Sequence, residues 1–230
     1  MDWLRKLENK IENRIEGVTV GRDLHVYEAA HIVCRLLRDN KIRYNGTDLL
    51  PNLFIVPFAD PMKVPYDYAD SLITIVNDYF AQRPFKFLTK FTVRLACRNA
   101  NFPDVEVGWA DELGKIALGF VECIEGSCKG RIWFIPVGGT VIGRSNRCPI
   151  CIVDDSRMSR EHVEIKIVEG DRIAIADMGS SNGILIGKRL QDPHKSGPFI
   201  INNGEQLKAG SSIFRIYVFP NQFARWSKKK

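Results

Sequence analysis

Three short polar segments in the second half of the chain carry the residue types best suited to chemistry. They are Gly143-Arg144, Ser159-Arg160-Glu161-His162 and Ser181-Asn182-Gly183, and each lies where a predicted strand meets a loop. Together they supply guanidinium groups, hydroxyls, a side-chain amide and a turn glycine, a set that can hold a dianionic phosphoryl group. Because the set contains no nucleophile–base pair, we expect binding rather than catalysis, and no enzyme.

The side chains of this set match the parts of a phosphothreonine, which carries close to two negative charges and three strong acceptor oxygens. Arg144 offers a rigid fork of donors for charge-assisted hydrogen bonds. Ser159 can donate its hydroxyl, and Arg160 can donate its backbone N–H or a second guanidinium. Ser181 is short enough for its hydroxyl to reach the same anion. These residues are therefore the candidate phosphate ligands.

Other residues of the segments fit the peptide around the phosphate. Asn182 has donors and acceptors for gripping a peptide backbone, and Gly183 frees the turn. Arg147 and Arg157 add positive potential that favours an acidic ligand. His162 is more readily explained as a structural histidine than as a base. Each segment alone is an ordinary loop fragment, so the prediction depends on their order and spacing.

The segments are set in a series of short strands separated by Gly, Asn, Asp and Ser, which predicts a β-sandwich with no helical stretch. Loops at one end of such a sandwich lie together. The predicted strands are 116–124, 131–137, 140–142, 162–168, 172–177, 183–186, 206–208 and 213–219.

The first half predicts an α+β domain in which we find no chemistry. Apolar residues from Leu4 to Val18 recur at helical spacing, as in an amphipathic helix. Further helices are predicted over 26–40 and 67–82, and strands over 53–58 and 90–97, with a turn at Asn45-Gly46. Thr19, in a glycine-bounded loop, is a candidate phosphorylation site.

Composition excludes several classes. The start of the chain has no secretory h-region and no apolar stretch is long enough to span a bilayer, so we expect a cytoplasmic protein whose six cysteines are thiols. Residues 1–115 carry 16 basic and 16 acidic side chains, so the net charge of +6 comes from the second half, including Arg225 and Lys228–Lys230. This excess is modest, and we expect no nucleic-acid partner.

The three segments in this order resemble the forkhead-associated (FHA) domain. The resemblance covers about residues 116–219 and implies an eleven-stranded sandwich that binds phosphothreonine in partner proteins. It implies that Arg144, Ser159, Arg160 and Ser181 contact the phosphate, and that Asn182 holds the ligand backbone. It further implies the roles of the remaining site residues: Arg157 lies toward the third residue after the phosphothreonine, and Gly143, His162 and Gly183 support the loops.

Residues 1–112 resemble, more faintly, the FhaA-type domain that precedes FHA in some bacterial adaptor proteins. This resemblance rests on the opening helix, the Leu50–Val56 stretch and the domain order. It implies an adaptor in Ser/Thr kinase signalling, with partners linked to cell-wall synthesis or division. We therefore expect an N-terminal domain over 1–112, an FHA sandwich over 113–220 and a basic tail over 221–230.

Two alternatives remain open from the residues alone. The sandwich can serve as a phosphate-independent scaffold that binds its partner through another face. Cys123, Cys128, Cys148 and Cys151 can be interpreted as zinc ligands, although four residues separate the first pair and Cys151 lies in an apolar run. We expect no metal and no cofactor.

Overall fold

The computed structural model describes residues 24–99, 104–187, 189–191 and 198–226. The chain divides into two compact units, Met1–Gly114 and Lys115–Lys230. No helix among the described residues is both long and apolar enough to cross a membrane. The predicted helix from Leu4 to Val18, Thr19 and the lysines of the tail lie outside the described residues.

In the described part of the first unit, two α-helices are combined with two three-stranded sheets. One sheet has the order β1-β2-β4 and the other the order β5-β3-β6. The elements are α1 (Val26–Asp39), β1 (Ile42–Tyr44), β2 (Thr47–Leu49), β3 (Leu53–Phe58), a 3-10 helix (Pro61–Lys63), α2 (Tyr68–Phe80), β4 (Phe85–Lys86), β5 (Thr92–Cys97) and β6 (Glu106–Gly108). The predicted α+β fold of this unit is confirmed.

The pattern of apolar residues explains which parts of the first unit form its core. Every residue of β3 is buried, as expected for a central strand that pairs in parallel with β5 and antiparallel with β6. Helix α1 buries Ala29, Val33 and Leu37, which recur at helical spacing on one face. Asn45 and Gly46 both have positive φ and form the turn between β1 and β2, so the predicted turn belongs to a hairpin.

The second unit is a sandwich of a five-stranded and a six-stranded sheet, with orders β10-β9-β11-β12-β15 and β14-β13-β16-β17-β7-β8. Its strands are β7 (Ala117–Glu125), β8 (Ile132–Pro136), β9 (Thr140–Gly143), β10 (Ile150–Cys151), β11 (Val163–Val168), β12 (Arg172–Asp177), β13 (Ile184–Ile186), β14 (Arg189–Gln191), β15 (Phe199–Ile201), β16 (Gln206–Ala209) and β17 (Ser212–Val218). The predicted β-sandwich is confirmed, and the described residues contain the eleven strands that the FHA resemblance implies.

The strand registers follow from alternating burial. In β11, Val163, Ile165 and Ile167 are buried while the intervening side chains are not. Strand β17 alternates in the same way and pairs with β7, which joins the first and last strands of the unit. Because a slip of one residue would turn each apolar set toward solvent, the pattern fixes the register and with it the positions of the loops.

The structure differs from the sequence prediction in short elements. Strands β10, β14 and β15 have two or three residues, too few to show a period of two. The expectation of no helix in the second half is wrong, because α3 (Gln222–Trp226) forms one turn and a half there. Trp226 is 2% exposed, so part of the segment predicted as a basic tail packs into the sandwich unit.

Candidate functional site

Three loops of the sandwich lie side by side because of the strand register. In the five-stranded sheet Val163 pairs with both Ile142 of β9 and Asp177 of β12, so β9 and β12 end where β11 begins. We call residues 144–149 loop 1, residues 152–162 loop 2 and residues 178–183 loop 3. The three polar segments singled out in the sequence are thereby brought together at one end of the sandwich.

Backbone hydrogen bonds join loop 1 to loop 2. The N–H of Arg144 donates to the carbonyl of Ser159 at 2.8 Å, and the N–H of Ser145 donates to that of Arg160 at 3.0 Å. Gly143 lies at the crossing. A Cβ at this position would come within 2.3 Å of the Arg160 carbonyl oxygen, so no larger residue fits without moving loop 2.

The Arg144 side chain is exposed and held at one point. Its Nε donates to the carbonyl of Met158 at 3.2 Å. Within the described part of the chain, no ion pair involves this guanidinium, so its terminal N–H groups remain available to an anion. One anchored donor reduces the rotamer freedom that is lost when the others bind a ligand.

Ser159 links loop 2 to loop 3 through its hydroxyl oxygen, which accepts a hydrogen bond from the N–H of Ser181 at 3.0 Å. The oxygen acts as an acceptor in this bond, so the hydroxyl hydrogen is left to be donated elsewhere. The side chains of Ser181 and Arg160 are both exposed. The candidate phosphate ligands are therefore adjacent across all three loops.

His162 braces loops 2 and 3 from within the core. Its ring is fully buried; Nδ1 accepts from the N–H of Ser159 at 3.0 Å, and Nε2 lies 3.0 Å from the carbonyl oxygen of Gly183. Since Nδ1 accepts, the ring proton is on Nε2 and is donated to Gly183. Both nitrogens are engaged, which suits the predicted structural role and leaves neither to act as a base.

Asn182 has a contact within the protein besides the ligand contact that the sequence predicts. Its side-chain nitrogen donates to the carbonyl of Arg157 at 2.8 Å, which ties loop 3 to loop 2. The side-chain oxygen is therefore the atom best placed to accept an N–H of a ligand backbone. Gly183 follows with a φ of 65°, a left-handed conformation that glycine adopts without strain.

Asp155 is a positioning residue that the sequence analysis missed. Its carboxylate accepts hydrogen bonds from the N–H of Arg157 (3.1 Å), the N–H of Ser211 (2.9 Å) and the hydroxyl of Ser212 (2.8 Å). It thus anchors loop 2 to the β16–β17 turn. Burial alone would raise the pKa of Asp155, but the hydrogen bonds from Ser212, Ser211 and Arg157 outweigh it and hold the pKa below its ordinary value of 3.8.

A second aspartate shapes loop 3. Asp177 accepts from the N–H of Ser180 at 2.7 Å and from its hydroxyl at 2.8 Å. Both hydrogen bonds join residues only three apart in the chain, so they are local to the start of loop 3. By contrast, two of the three partners of Asp155, Ser211 and Ser212, lie more than 50 residues away in the chain, and no local pattern could have indicated them.

The loops enclose an open groove of about 680 Å³. Its charged side chains are four arginines, Arg144, Arg147, Arg157 and Arg160, and one acid, Glu161. The remaining lining residues are Ser145, Ser156, Met158, Ser159, Met178, Gly179, Ser181 and Asn182. All six residues predicted to bind a phosphopeptide therefore line one groove with a strong positive excess.

The cysteines form no metal centre in the described residues, where no group of three or more His, Cys, Asp or Glu is placed to hold an ion. All six are free thiols. The thiol of Cys148 donates to the Arg160 carbonyl at 3.1 Å. Burial raises its pKa, and Glu161 adds to the effect, so the thiol form is favoured and this contact with loop 2 is kept. Burial likewise raises the pKa of Cys123.

Residues 140–210, which include all three loops, match the family model of the FHA domain. The second unit therefore contains an FHA domain, as the sequence resemblance predicted. The FhaA-type assignment of the first unit stays a prediction.

Solved FHA domains are similar over less than half of this chain. The FHA domain of the CT664 protein from Chlamydia trachomatis is 20% identical, with a TM-score of 0.38, and the similarity covers 43% of this chain and 96% of that one. The N-terminal FHA domain of S. cerevisiae Rad53p, solved with a phosphothreonine peptide, is 18% identical with a TM-score of 0.39 (44% and 93% covered). The FhaA FHA domain, solved with the intracellular domain of Rv3910, is 23% identical with a TM-score of 0.36 (43% and 98% covered). A search of curated proteins finds no match.

Proposed function

We propose that this protein is a non-enzymatic adaptor that binds phosphothreonine-containing partner proteins through its FHA domain. The observation that carries the proposal is the juxtaposition of Arg144, Ser159 and Ser181 at an arginine-rich groove. Their guanidinium and hydroxyl groups present the donors that a phosphate dianion accepts. The match to the FHA family model over these same loops supports the assignment.

The internal hydrogen bonds of the loops support recognition of a peptide in addition to its phosphate. Asn182 is fixed by the Arg157 carbonyl, so its side-chain oxygen can accept a ligand N–H without first being ordered. Arg160 is exposed at the groove and supplies a second guanidinium, and Arg157 extends the positive surface along it. A phosphothreonine with its flanking backbone is the ligand that uses all of these groups.

The proposal of no catalysis is supported by the composition of the groove. Among the described residues, its lining includes serines but no histidine, cysteine or lysine that could activate a nucleophile. The nearest histidine, His162, is buried with both ring nitrogens engaged. We further propose a cytoplasmic role downstream of a bacterial Ser/Thr kinase, with a partner connected to cell-wall synthesis or division. That context rests on the resemblance of the first unit to adaptor domains.

Isothermal titration calorimetry tests the binding function. The full chain is titrated with a degenerate phosphothreonine peptide library and with its unphosphorylated and phosphoserine counterparts. Heat confined to the phosphothreonine pool is the expected result. The matched control is Arg172→Ala, which removes an exposed arginine at the far end of β12 and should bind like the wild type. Equal or absent binding in all pools would favour the phosphate-independent scaffold.

A further inference from the structure

We infer that the partner segment carries a second anionic group besides the phosphothreonine, and that Arg147 selects for it. This inference rests on the proposed phosphothreonine function and names the class of peptide that the same groove takes. This second anionic group is a carboxylate or a second phosphate, and it lies within a few residues of the phosphothreonine.

The charge of the groove is larger than one phosphate can match. Four arginines and one glutamate line it, leaving three net positive charges. A phosphothreonine supplies close to two negative charges. About one positive charge of the groove is then left without a counterpart in the bound state. Neutral residues on either side of the phosphothreonine would not supply that counterpart.

Arg147 differs from the other three arginines of the groove in its position. Arg144 is anchored to Met158 beside Ser159, and Arg157 and Arg160 belong to loop 2, next to the candidate phosphate ligands. Arg147 instead lies in loop 1, three residues after Arg144. Loop 1 follows β9 and loop 3 follows β12, and β9 and β12 lie on opposite sides of β11, so loop 1 and loop 3 with Asn182 are on opposite sides of loop 2. Arg147 is exposed, and no acidic partner for it is found among the residues the structure describes.

The backbone at Arg147 is held, so its side chain reaches a limited region of the groove rim. Its N–H donates to the hydroxyl oxygen of Ser145 at 3.2 Å, and the next N–H, that of Cys148, donates to the Ser145 carbonyl at 3.0 Å. Both contacts belong to the backbone of the turn. Replacement of Arg147 with alanine removes the charge and keeps the turn.

The test uses calorimetry with the full chain and four phosphothreonine peptides of equal length. One has neutral flanks, one has aspartates before the phosphothreonine, one has aspartates after it, and one has a phosphoserine in place of the aspartates on the favoured side. Wild type should bind one aspartate peptide about two- to fivefold more tightly than the neutral peptide, the range expected for an exposed charge pair. The phosphoserine peptide distinguishes a phosphate from a carboxylate as the preferred second anion.

Two variants assign the effect. In Arg147→Ala the acidic and neutral peptides should bind with equal affinity, and in Arg147→Glu the acidic peptide should bind less tightly than the neutral one. Arg172→Ala should keep the wild-type preference. If wild type binds all phosphothreonine peptides equally, or if Arg147→Ala keeps the acidic preference, the inference is wrong while the phosphothreonine function stands. If no phosphothreonine peptide binds, the proposed function itself fails.

Discussion

Arg144 has one donor committed to the protein and the rest directed to the groove. Its replacement by alanine should leave a bound phosphate without its main charged partner. We expect Arg144→Ala to cost about 2–5 kcal/mol of phosphopeptide binding, the range for truncating one member of a desolvated charge pair. Titration calorimetry measures the loss, and circular dichroism checks that the variant is folded. Wild-type affinity in a folded Arg144→Ala protein would show that the site is assigned wrongly.

In the proposed function Ser159 donates its hydroxyl to the phosphate, and its oxygen also accepts the Ser181 N–H, which joins loops 2 and 3. Ser159→Ala should weaken phosphopeptide binding by about 1–3 kcal/mol, less than the loss of a guanidinium. Ser156→Ala, at a serine that also lines the groove, is the matched control and should change binding little. An equal loss in both variants would argue against a specific hydroxyl contact at Ser159.

Asp155 should make the stability of the sandwich depend on acid pH. Its pKa in the folded state is lower than the ordinary 3.8, so the folded state favours the carboxylate and gains stability from it above that value. We expect Asp155→Asn to lose about 1–3 kcal/mol of unfolding free energy at pH 7. The difference from wild type should shrink as the pH falls below 3.8 toward the folded-state pKa.

Denaturant unfolding of both proteins at pH 7, 5 and 3 measures this dependence. A difference that stays constant over the three pH values would mean that the carboxylate charge does not stabilise loop 2.

At the scale of elements, α3 is a helix of the sandwich unit that the sequence did not predict. Trp226 is buried, and its indole N–H donates to the side-chain oxygen of Gln222, which is also buried. Trp226→Ala should destabilise the unit by about 3–5 kcal/mol, the usual cost of removing a buried tryptophan. Thermal unfolding checks this, with Arg225→Ala as the control on the same helix. A small loss at Trp226 would mean that α3 contributes little.

Long elements with clear apolar patterns could be predicted from the sequence, and short ones could not. The bounds of β3 and β12 are those predicted, because alternating or continuous apolar residues end at clear turn signals. Strand β10 has only two residues and is defined by its pairing with β9, a tertiary fact. Helix α3 is shorter than two helical turns, so its residues cannot reveal a period of 3.6.

The candidate site was predictable as a set of residues and not as a set of contacts. The order of Arg144, Ser159 and Ser181 indicated one surface, and the register of β9, β11 and β12 places them there. The sequence could not show that the Asn182 nitrogen bonds to Arg157, because a side-chain amide pairs equally well with a ligand. The link from Asp155 to the β16–β17 turn was missed because Ser211 and Ser212 are distant from it in the chain.

At the scale of the whole molecule, all the described residues that line the groove belong to the second unit. We expect residues 115–230 produced alone to fold and to bind a phosphothreonine peptide within about twofold of the full chain, since no lining residue is removed. Titration of both proteins with the same peptide checks this. A folded fragment with much weaker binding would show that the first unit contributes to the site.

The pairing of β17 with β7 has a consequence for synthesis of the protein. Among the described strands of the sandwich unit β7 comes first in the chain, yet its partner β17 is synthesised after all the others. Pairings so distant in the chain close slowly, and a nascent unit must keep β7 unpaired until then. Loop 2 is likewise unanchored until Ser211 and Ser212 have been added. A growing chain therefore gains a fully anchored groove only after Ser211 and Ser212 have been synthesised, and a ribosome stalled before residue 211 would display the three polar loops with loop 2 unanchored.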